Sequence, residues 1–452
     1  MIVMSRKIFL SALLCAGSLL MSLDSISADA RLDAELSAIV DDPAHPLASL
    51  SVLAVRNGAI VYQQQFGYRF IDPANPANNR PADRNTLYRI ASISKLVTAL
   101  GVMKLVEEGK LSLDADASDL LGYALRNPHF PNQPITLRML LSHTSSLRDD
   151  AGYSWESGYT LKDVVLPVGS LYGKGAMWAR NAPPGSYFSY TNLNSGIVAA
   201  LMEKASGERF DRLMKRLILA PMGVHGGFNP AELSSADLQN LAVLYRKRTE
   251  IDGKEIWNPA GPWVAQVDDY SRVAPVSRAG PDYVLGSNGT LLGPQGGLRI
   301  SAADLAKIML MLMNQGKHDG RQILKPKTIA TMFVEHWRHD GRRDNGDTDR
   351  GLFRAWGLGN QHFLDISEPG SGDRLVEGGG FRGVGHLGDA WGLTAAFVFD
   401  PRSRSGAIYL IGGPGTDPET YKGRYSSRPR YEELIMTALY RQAIFDPAIQ
   451  GK

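Results

Sequence analysis

A serine hydroxyl and a lysine amine stand three residues apart in Leu87-Tyr88-Arg89-Ile90-Ala91-Ser92-Ile93-Ser94-Lys95-Leu96-Val97. The apolar pattern that follows predicts a helix from Ser92 to about Glu108, ending near Gly109. Residues i and i+3 share one helix face, so Lys95 can reach the Ser92 hydroxyl. A serine is a poor nucleophile at neutral pH and needs a neighbour to take its proton. A lysine can do so when burial or a nearby cation lowers its pKa. The same four residues would also suit a helix N-cap serine with a solvated lysine one turn on. The weight of the pair therefore rests on its company.

Two further polar elements follow in order. Pro183-Pro184-Gly185 leads into Tyr190-Thr191-Asn192, the one place where a tyrosine has Asn two residues on. A phenol can relay protons, and an amide can hold a lysine or a substrate amide by hydrogen bonds. Far downstream, His386-Leu387-Gly388-Asp389 precedes Leu393–Asp400, an apolar run that predicts a buried strand. His225, His318 and His339 also have Gly two residues on, so position and the following strand single out His386.

With these elements in this order, the chain resembles the serine β-lactamase and penicillin-binding-protein superfamily. The resemblance is to its class C branch, with related D-Ala-D-Ala carboxypeptidases, D-aminopeptidases and β-lactamase-like esterases. Two more segments carry it: Leu140-Leu141-Ser142-His143-Thr144-Ser145-Ser146-Leu147 and Gly296-Gly297-Leu298-Arg299-Ile300-Ser301 through Asp304-Leu305-Ala306. The resemblance spans roughly residues 45 to 445. It implies acyl transfer through Ser92, with Lys95 and Tyr190 sharing the proton and Asn192 orienting Lys95 or the substrate. It also implies an oxyanion hole from the backbone N–H groups of Ser92 and Asp389, with His386 and Gly388 lining the same cleft, and no cofactor. The partner expected is a small-molecule or peptide substrate: a D-amino-acid peptide, an ester or a β-lactam.

The departures from the family pattern bear on substrate. His386 stands where β-lactamases carry a lysine. An imidazole of ordinary pKa is mostly neutral at pH 7 and gains charge towards pH 5.5. That difference favours a peptidase or esterase over a true β-lactamase, which is the alternative. A non-catalytic penicillin- or peptide-binding sensor is the alternative of another class. Ser146 replaces the family's usual Gly.

The N-terminus predicts export. Arg6 and Lys7 precede an apolar run, Ile8 to Leu20, of signal-peptide length, and Ala28-Asp29-Ala30 offers a small-x-small cleavage site. The leader is thus expected over 1–30, leaving a periplasmic protein with no stable membrane anchor. The single cysteine, Cys15, lies inside that leader, so no disulfide or cysteine metal site is expected in the rest. A 44% apolar and 21% charged composition is that of an ordinary globular protein. At a net charge of +3 and without a basic run interleaved with aromatics, nucleic acid is not an expected partner.

The elements that must position the site read as one α/β (α+β) domain over 31–452. A mainly antiparallel sheet flanked by helices is expected, with an all-helical subdomain inserted. The α/β part covers 31–109 and about 286–452, and the helical part about 110–285. Residues 31–41 predict a short helix; Ser49–Val55 and Ala59–Phe66 predict strands joined at Asn57-Gly58, a hairpin dipeptide. Ser301 to Asp304 resembles a capping box opening a helix to Asn314, strands return from about Trp356, and Arg430–Ala443 predicts a closing helix. The first and last strands are expected to meet. Residues 229–290 carry few signals. The charged run Arg338–Arg350 is expected to be a solvated loop, His143 to hold local structure, and Met309, Met311 and Met313 to pack in the core. No Gly-x-Ser-x-Gly and no His-Glu-x-x-His occurs, so neither an α/β-hydrolase elbow nor a zincin site is expected.

Overall fold

The computed structural model describes residues 29–341 and 345–445. The expected leader core and most of the leader lie outside the described residues. Among the described residues, no helix is long and apolar enough to cross a membrane.

The longest strands come from apolar runs near both ends of the chain. Ser49–Arg56 and Ala59–Phe70 form the expected hairpin, with Asn57 at φ +54° and Gly58 at φ +78°. Positive φ at both central residues gives the turn a twist that matches the strands. On its other side Ser49–Arg56 pairs antiparallel with Ser405–Ile411, in register Leu53↔Ile408. The first and last long strands therefore do meet. The sheet continues through Leu393–Asp400, Gly383–Ala390, Gln361–Phe363, Ala355–Trp356 and Trp337–Arg338. Neighbouring strands pair antiparallel throughout.

Both faces of this sheet are covered, which explains apolar runs where alternation would otherwise be expected. On one face Leu53, Val55, Phe397, Phe399 and Ile408 pack against helices Ile93–Glu107 and Ala302–Met313. On the other, Val52, Val398 and Tyr409 meet the helix over 29–40 and the closing helix Arg430–Leu439. The closing helix runs on into a wider turn, Tyr440–Ile444.

Helix Ile93–Glu107 is buried along most of its length, with apolar side chains on more than one face. A Cβ at its Gly101 would lie 2.4 Å from the sulfur of Met214 and 3.0 Å from the terminal methyl of Met202. The glycine lets the helical layer approach. That layer includes Leu193–Ser206, which carries Met202, and Phe210–Met214. Met309, Met311 and Met313 are buried, as their apolar setting implied. Ser301 caps Ala302–Met313 by accepting from the Asp304 N–H at 3.1 Å.

The middle of the chain departs from an all-helical insertion. Leu244–Ile251, Lys254–Trp257 and Trp263–Val267 form a three-stranded antiparallel sheet. Its signal was Asp252-Gly253, both at positive φ, another hairpin dipeptide. The central strand has no continuous apolar run: Arg246-Lys247-Arg248 stand at its middle. Instead, Arg246 and Arg248 lie over the Trp257 ring and Lys247 over Trp263, at 4.8 to 5.3 Å from the ring centroids. Cation–π pairs of this kind stabilise a solvent-facing sheet without an apolar alternation.

Just past the third strand, Asp268 accepts from Arg299 Nε at 3.1 Å and from Nη2 at 2.7 Å. Both side chains are buried. The pair ties the middle segment to the strand Arg299–Ile300, which itself pairs with Tyr88–Arg89 just before the nucleophile helix. Removing one member of a buried pair leaves the other charge uncompensated. Asp268→Ala is therefore expected to lower unfolding stability by about 3–5 kcal/mol. Urea denaturation of the variant measures this, and a loss within 1 kcal/mol would contradict it.

Candidate active site

The chain turns into the nucleophile helix through a strained residue. Ala91 has φ +45°, a left-handed conformation that costs a non-glycine residue about 1–2 kcal/mol. Ser92 follows at the helix N-cap. Ile90 N–H donates to the Leu298 carbonyl, Ser94 Oγ accepts from Leu298 N–H, and Thr98 Oγ1 donates to the Pro294 carbonyl. The segment 294–298, which ends in the family-like Gly296-Gly297-Leu298 stretch, thus braces the first turn.

Lys95 Nζ lies inside this frame with three acceptors: Ser92 Oγ at 2.9 Å, Asn192 Oδ1 at 2.7 Å and the Gln295 carbonyl at 3.1 Å. Lys95 is 4% exposed. Burial draws its pKa down to about 7, and the Coulombic field of Asp149 partly opposes that. Tyr190 is displaced the other way: burial pushes its hydroxyl up, although a hydrogen bond with Ser92 counters some of the rise. Burial therefore holds the phenol neutral, not as a standing phenolate. Its ring stacks on Phe353, with centroids 5.2 Å apart, and Lys95 Nζ lies 4.8 Å from the ring centroid. The structure thus gathers Ser92, Lys95, Tyr190 and Asn192 around one amine.

His386, Gly388 and Asp389 come from strand Gly383–Ala390, and all three line the same cavity as Ser92 and Tyr190. A Cβ at Gly388 would lie 2.6 Å from the Ile90 carbonyl, so the glycine lets this strand close on the turn that presents Ser92. Asp389 is solvent-exposed at the rim. His386 differs from its expectation. It is 3% exposed, and burial, with Lys95 adding to it, holds its pKa down at about 3. It does not gain charge between pH 8 and 5.5. Nδ1 donates to the Leu387 carbonyl at 2.6 Å, which leaves Nε2 as a buried lone pair without a protein partner among the described residues.

His143 holds local structure: Nδ1 accepts from Thr191 N–H at 3.0 Å, fixing the residue between Tyr190 and Asn192. Ser146 has φ +67°, which explains glycine as the family's usual choice there; its hydroxyl is held by Asn127 Nδ2 at 2.5 Å. The charged run is not simply solvated. Asp347 accepts from Tyr187 Oη and Ser189 Oγ, and Asp349 and Arg350 line the cavity beside Phe353.

Two contributors escaped the sequence reading. The Gln295 carbonyl is a backbone group, which side-chain types cannot reveal. Asp149 directly follows the His143 segment. Its Oδ2 accepts from Asn192 N–H at 2.8 Å and from Asn192 Nδ2 at 2.9 Å, and its Oδ1 from Leu193 N–H at 3.0 Å. By holding Nδ2, it turns Asn192 Oδ1 towards Lys95. No motif flags it, because its partners lie more than forty residues away.

With this geometry in place, comparison with known proteins is decisive. The family model described as Beta-lactamase matches residues 32–428. The chain belongs to the beta-lactamase family. Penicillin-binding protein 4* of Bacillus subtilis (strain 168) is 33% identical over 178 residues, 39% of this chain and 36% of that protein. Esterase EstB of Burkholderia gladioli is 30% identical over 235 residues, 50% of this chain and 56% of EstB. This chain therefore matches between about a third and just over half of the length of these relatives. Among solved structures, the octameric penicillin-binding protein homologue from Pyrococcus abyssi superposes with a TM-score of 0.60 at 23% identity, covering 94% of this chain and 77% of that one. EstCE1, titled a hydrolase with promiscuous acyltransferase activity, gives 0.60 at 19%, covering 92% and 100%. Both likenesses establish the fold.

Asp149→Asn keeps the size of the side chain but places an NH₂ or a neutral oxygen against the Asn192 donors. Because the Asp149 charge holds Lys95 up, its loss is expected to move the acid limb of kcat/KM to lower pH. The maximum is expected to fall by about 100-fold through misplacement of Asn192. A pH–rate profile reads both effects, and an unmoved limb with full activity would remove Asp149 from the site.

Proposed function

We propose that this protein is a periplasmic serine hydrolase working through an acyl-Ser92 intermediate on a peptide, ester or β-lactam carbonyl, with peptide and ester favoured. The observation that carries the reading is the Lys95 amine, buried, drawn down to about 7 and 2.9 Å from Ser92 Oγ. A buried amine is a base of the right strength at neutral pH.

Ser92 Oγ attacks the carbonyl carbon as its proton passes to neutral Lys95. Tyr190 relays that proton to the leaving atom, since its own hydroxyl stays protonated. The opposed shifts of Lys95 and Tyr190 support this division of roles. The backbone N–H groups of Ser92 and Asp389 would receive the oxyanion; losing one such donor costs about 3 kcal/mol in the transition state. Water then attacks the acyl-enzyme by the same proton path and frees Ser92. The preference for esters and peptides rests on His386, a neutral group that stands where β-lactamases carry a lysine. Relatives named as an esterase and as a D-alanyl-D-alanine carboxypeptidase/endopeptidase support that preference. Export rests on the leader pattern alone.

Intact-mass analysis against a penicillin, a D-Ala-D-Ala peptide and a p-nitrophenyl ester tests the reading. A transient adduct with product release is expected, whereas a stable adduct without product would point to a binding protein. Ser92→Ala is expected to lose at least about 10³-fold in turnover while staying folded. Lys95→Arg preserves the charge but cannot give up its proton, so acylation should collapse. In the parent protein kcat/KM should rise with pH through an ionisation near 7, as the Lys95 ammonium becomes an amine. Near-normal acylation by Lys95→Arg, or a rate independent of pH across that range, would remove Lys95 as the base.

A further inference from the structure

Ser92, Tyr190 and Asp389 lie at the boundary between two cavities, of about 330 and 650 Å³. The two differ in how their charges are engaged. In the smaller one, Arg350 and Lys422 approach Glu419 at 3.7 and 3.6 Å. Arg428 there is spent on the carbonyls of Arg374 and Leu375. Arg350 and Lys422 are thus paired with a carboxylate, and Arg428, 2% exposed, has both Nη groups engaged.

The larger cavity carries two arginines, Arg89 and Arg278. Neither has a carboxylate within ion-pair distance among the described residues. Arg89 Nε donates to the Gly296 carbonyl at 3.0 Å. Arg278 donates to Ser154 Oγ and to the Trp155 carbonyl, each at 3.1 Å. The nearby carboxylate Asp268 is committed to Arg299 through two hydrogen bonds. Burial, with Arg299 alongside, brings Arg89 down to about 10, so it remains a cation at neutral pH. Asp389 is the one carboxylate lining this side.

The same cavity has an aromatic mouth. Trp391 and Gly392 form the two-residue turn between Ala390 and Leu393, at φ +55° and +90°. A bulky residue in the left-handed region is strained. Here it leaves the indole 51% exposed in a cavity that Tyr153, 36% exposed, also lines. Across the nucleophile, His386 is buried and neutral, and Arg382 is exposed and lines neither cavity. A substrate anion thus finds its available cations on the Asn192–Trp391 side.

We propose that Arg89 and Arg278 form a carboxylate-binding subsite, so that the substrate is a carbonyl compound whose arm on the Trp391 side ends in a carboxylate. An apolar spacer of that arm rests against Trp391 and Tyr153. A planar guanidinium suits a carboxylate, and a charge-assisted hydrogen bond in a part-buried cleft discriminates strongly against an uncharged analogue. This inference rests on the serine hydrolase reading and adds the chemistry of its substrate.

Two matched pairs of esters test it. The first varies the acyl arm: the p-nitrophenyl monoester of glutaric acid against the p-nitrophenyl ester of its monoamide. The second varies the leaving group: butyrate esters of 4-hydroxybenzoate and of 4-hydroxybenzamide. In one pair the anionic member is expected to be favoured about 10-fold or more in kcat/KM. Arg278→Gln should cut that ratio several-fold, Arg278→Lys should retain more of it, and Arg89→Gln should cut it again. Arg278 is exposed, so its variants test the subsite even if Arg89→Gln fails to fold. Turnover of the neutral esters without an anionic preference, or a preference that survives Arg278→Gln, overturns the subsite and leaves the hydrolase reading standing. Absence of both turnover and a Ser92 adduct overturns the hydrolase reading instead. Calorimetric titration of Ser92→Ala protein with the same esters then decides the subsite. Tighter binding of one anionic member, lost in the Arg278→Gln background, supports it, and equal affinities overturn it.

Discussion

The site depends on one buried amine. Lys95 Nζ has little water to hydrogen-bond to, and its three acceptors come from three distant parts of the chain: Ser92 on its own helix, Asn192 at the head of Leu193–Ser206, and the carbonyl of Gln295. Burial alone would make the amine a weak base. The Asp149 carboxylate sets a limit on that, because its field favours the charged form. The same residue holds the Asn192 amide in the orientation that Lys95 needs. One carboxylate thereby links the position of the amine to its proton affinity, two quantities that must agree for a base to work near neutrality.

Much of the surrounding fold keeps that arrangement closed. Gly388 lets the strand of His386 approach the Ile90 carbonyl, and the strained Ala91 turns Ser92 into the space that remains. The buried Arg299–Asp268 pair anchors the middle segment beside Tyr88–Arg89, the strand that leads into that turn. Strain of this kind persists where the surroundings over-determine it. Here the antiparallel sheet, packed on both faces, supplies the constraint.

Charge is distributed unevenly about the nucleophile. Burial keeps both His143 and His386 neutral next to Lys95. A second cation so close would depress the amine further by like-charge repulsion. The family's lysine at the third element and a deeply buried base thus compete for one electrostatic environment, and this chain has a neutral imidazole there. The two arginines without a carboxylate partner among the described residues, Arg89 and Arg278, lie to one side, in the cavity that Asn192 and Trp391 line.

Local chemistry was legible in the sequence wherever the controlling contacts are local. The Asn57-Gly58 hairpin, the buried run Leu393–Asp400, the capping serine of Ala302–Met313 and the i, i+3 reach of Lys95 to Ser92 all follow from turn propensity, hydrophobic pattern and helix geometry. So does the order of the polar elements that carried the family resemblance. Tertiary structure decided the rest. It brought Asp149 to Asn192 and the Gln295 carbonyl to Lys95, laid the charged loop near Arg350 against the cavity, and seated the Arg246-Lys247-Arg248 run of the 244–267 sheet over tryptophan rings. It also set the ionisation of Lys95, Tyr190 and His386. Residue type fixes only a reference pKa, and the shift from it is a sum over burial and charges brought together by the fold.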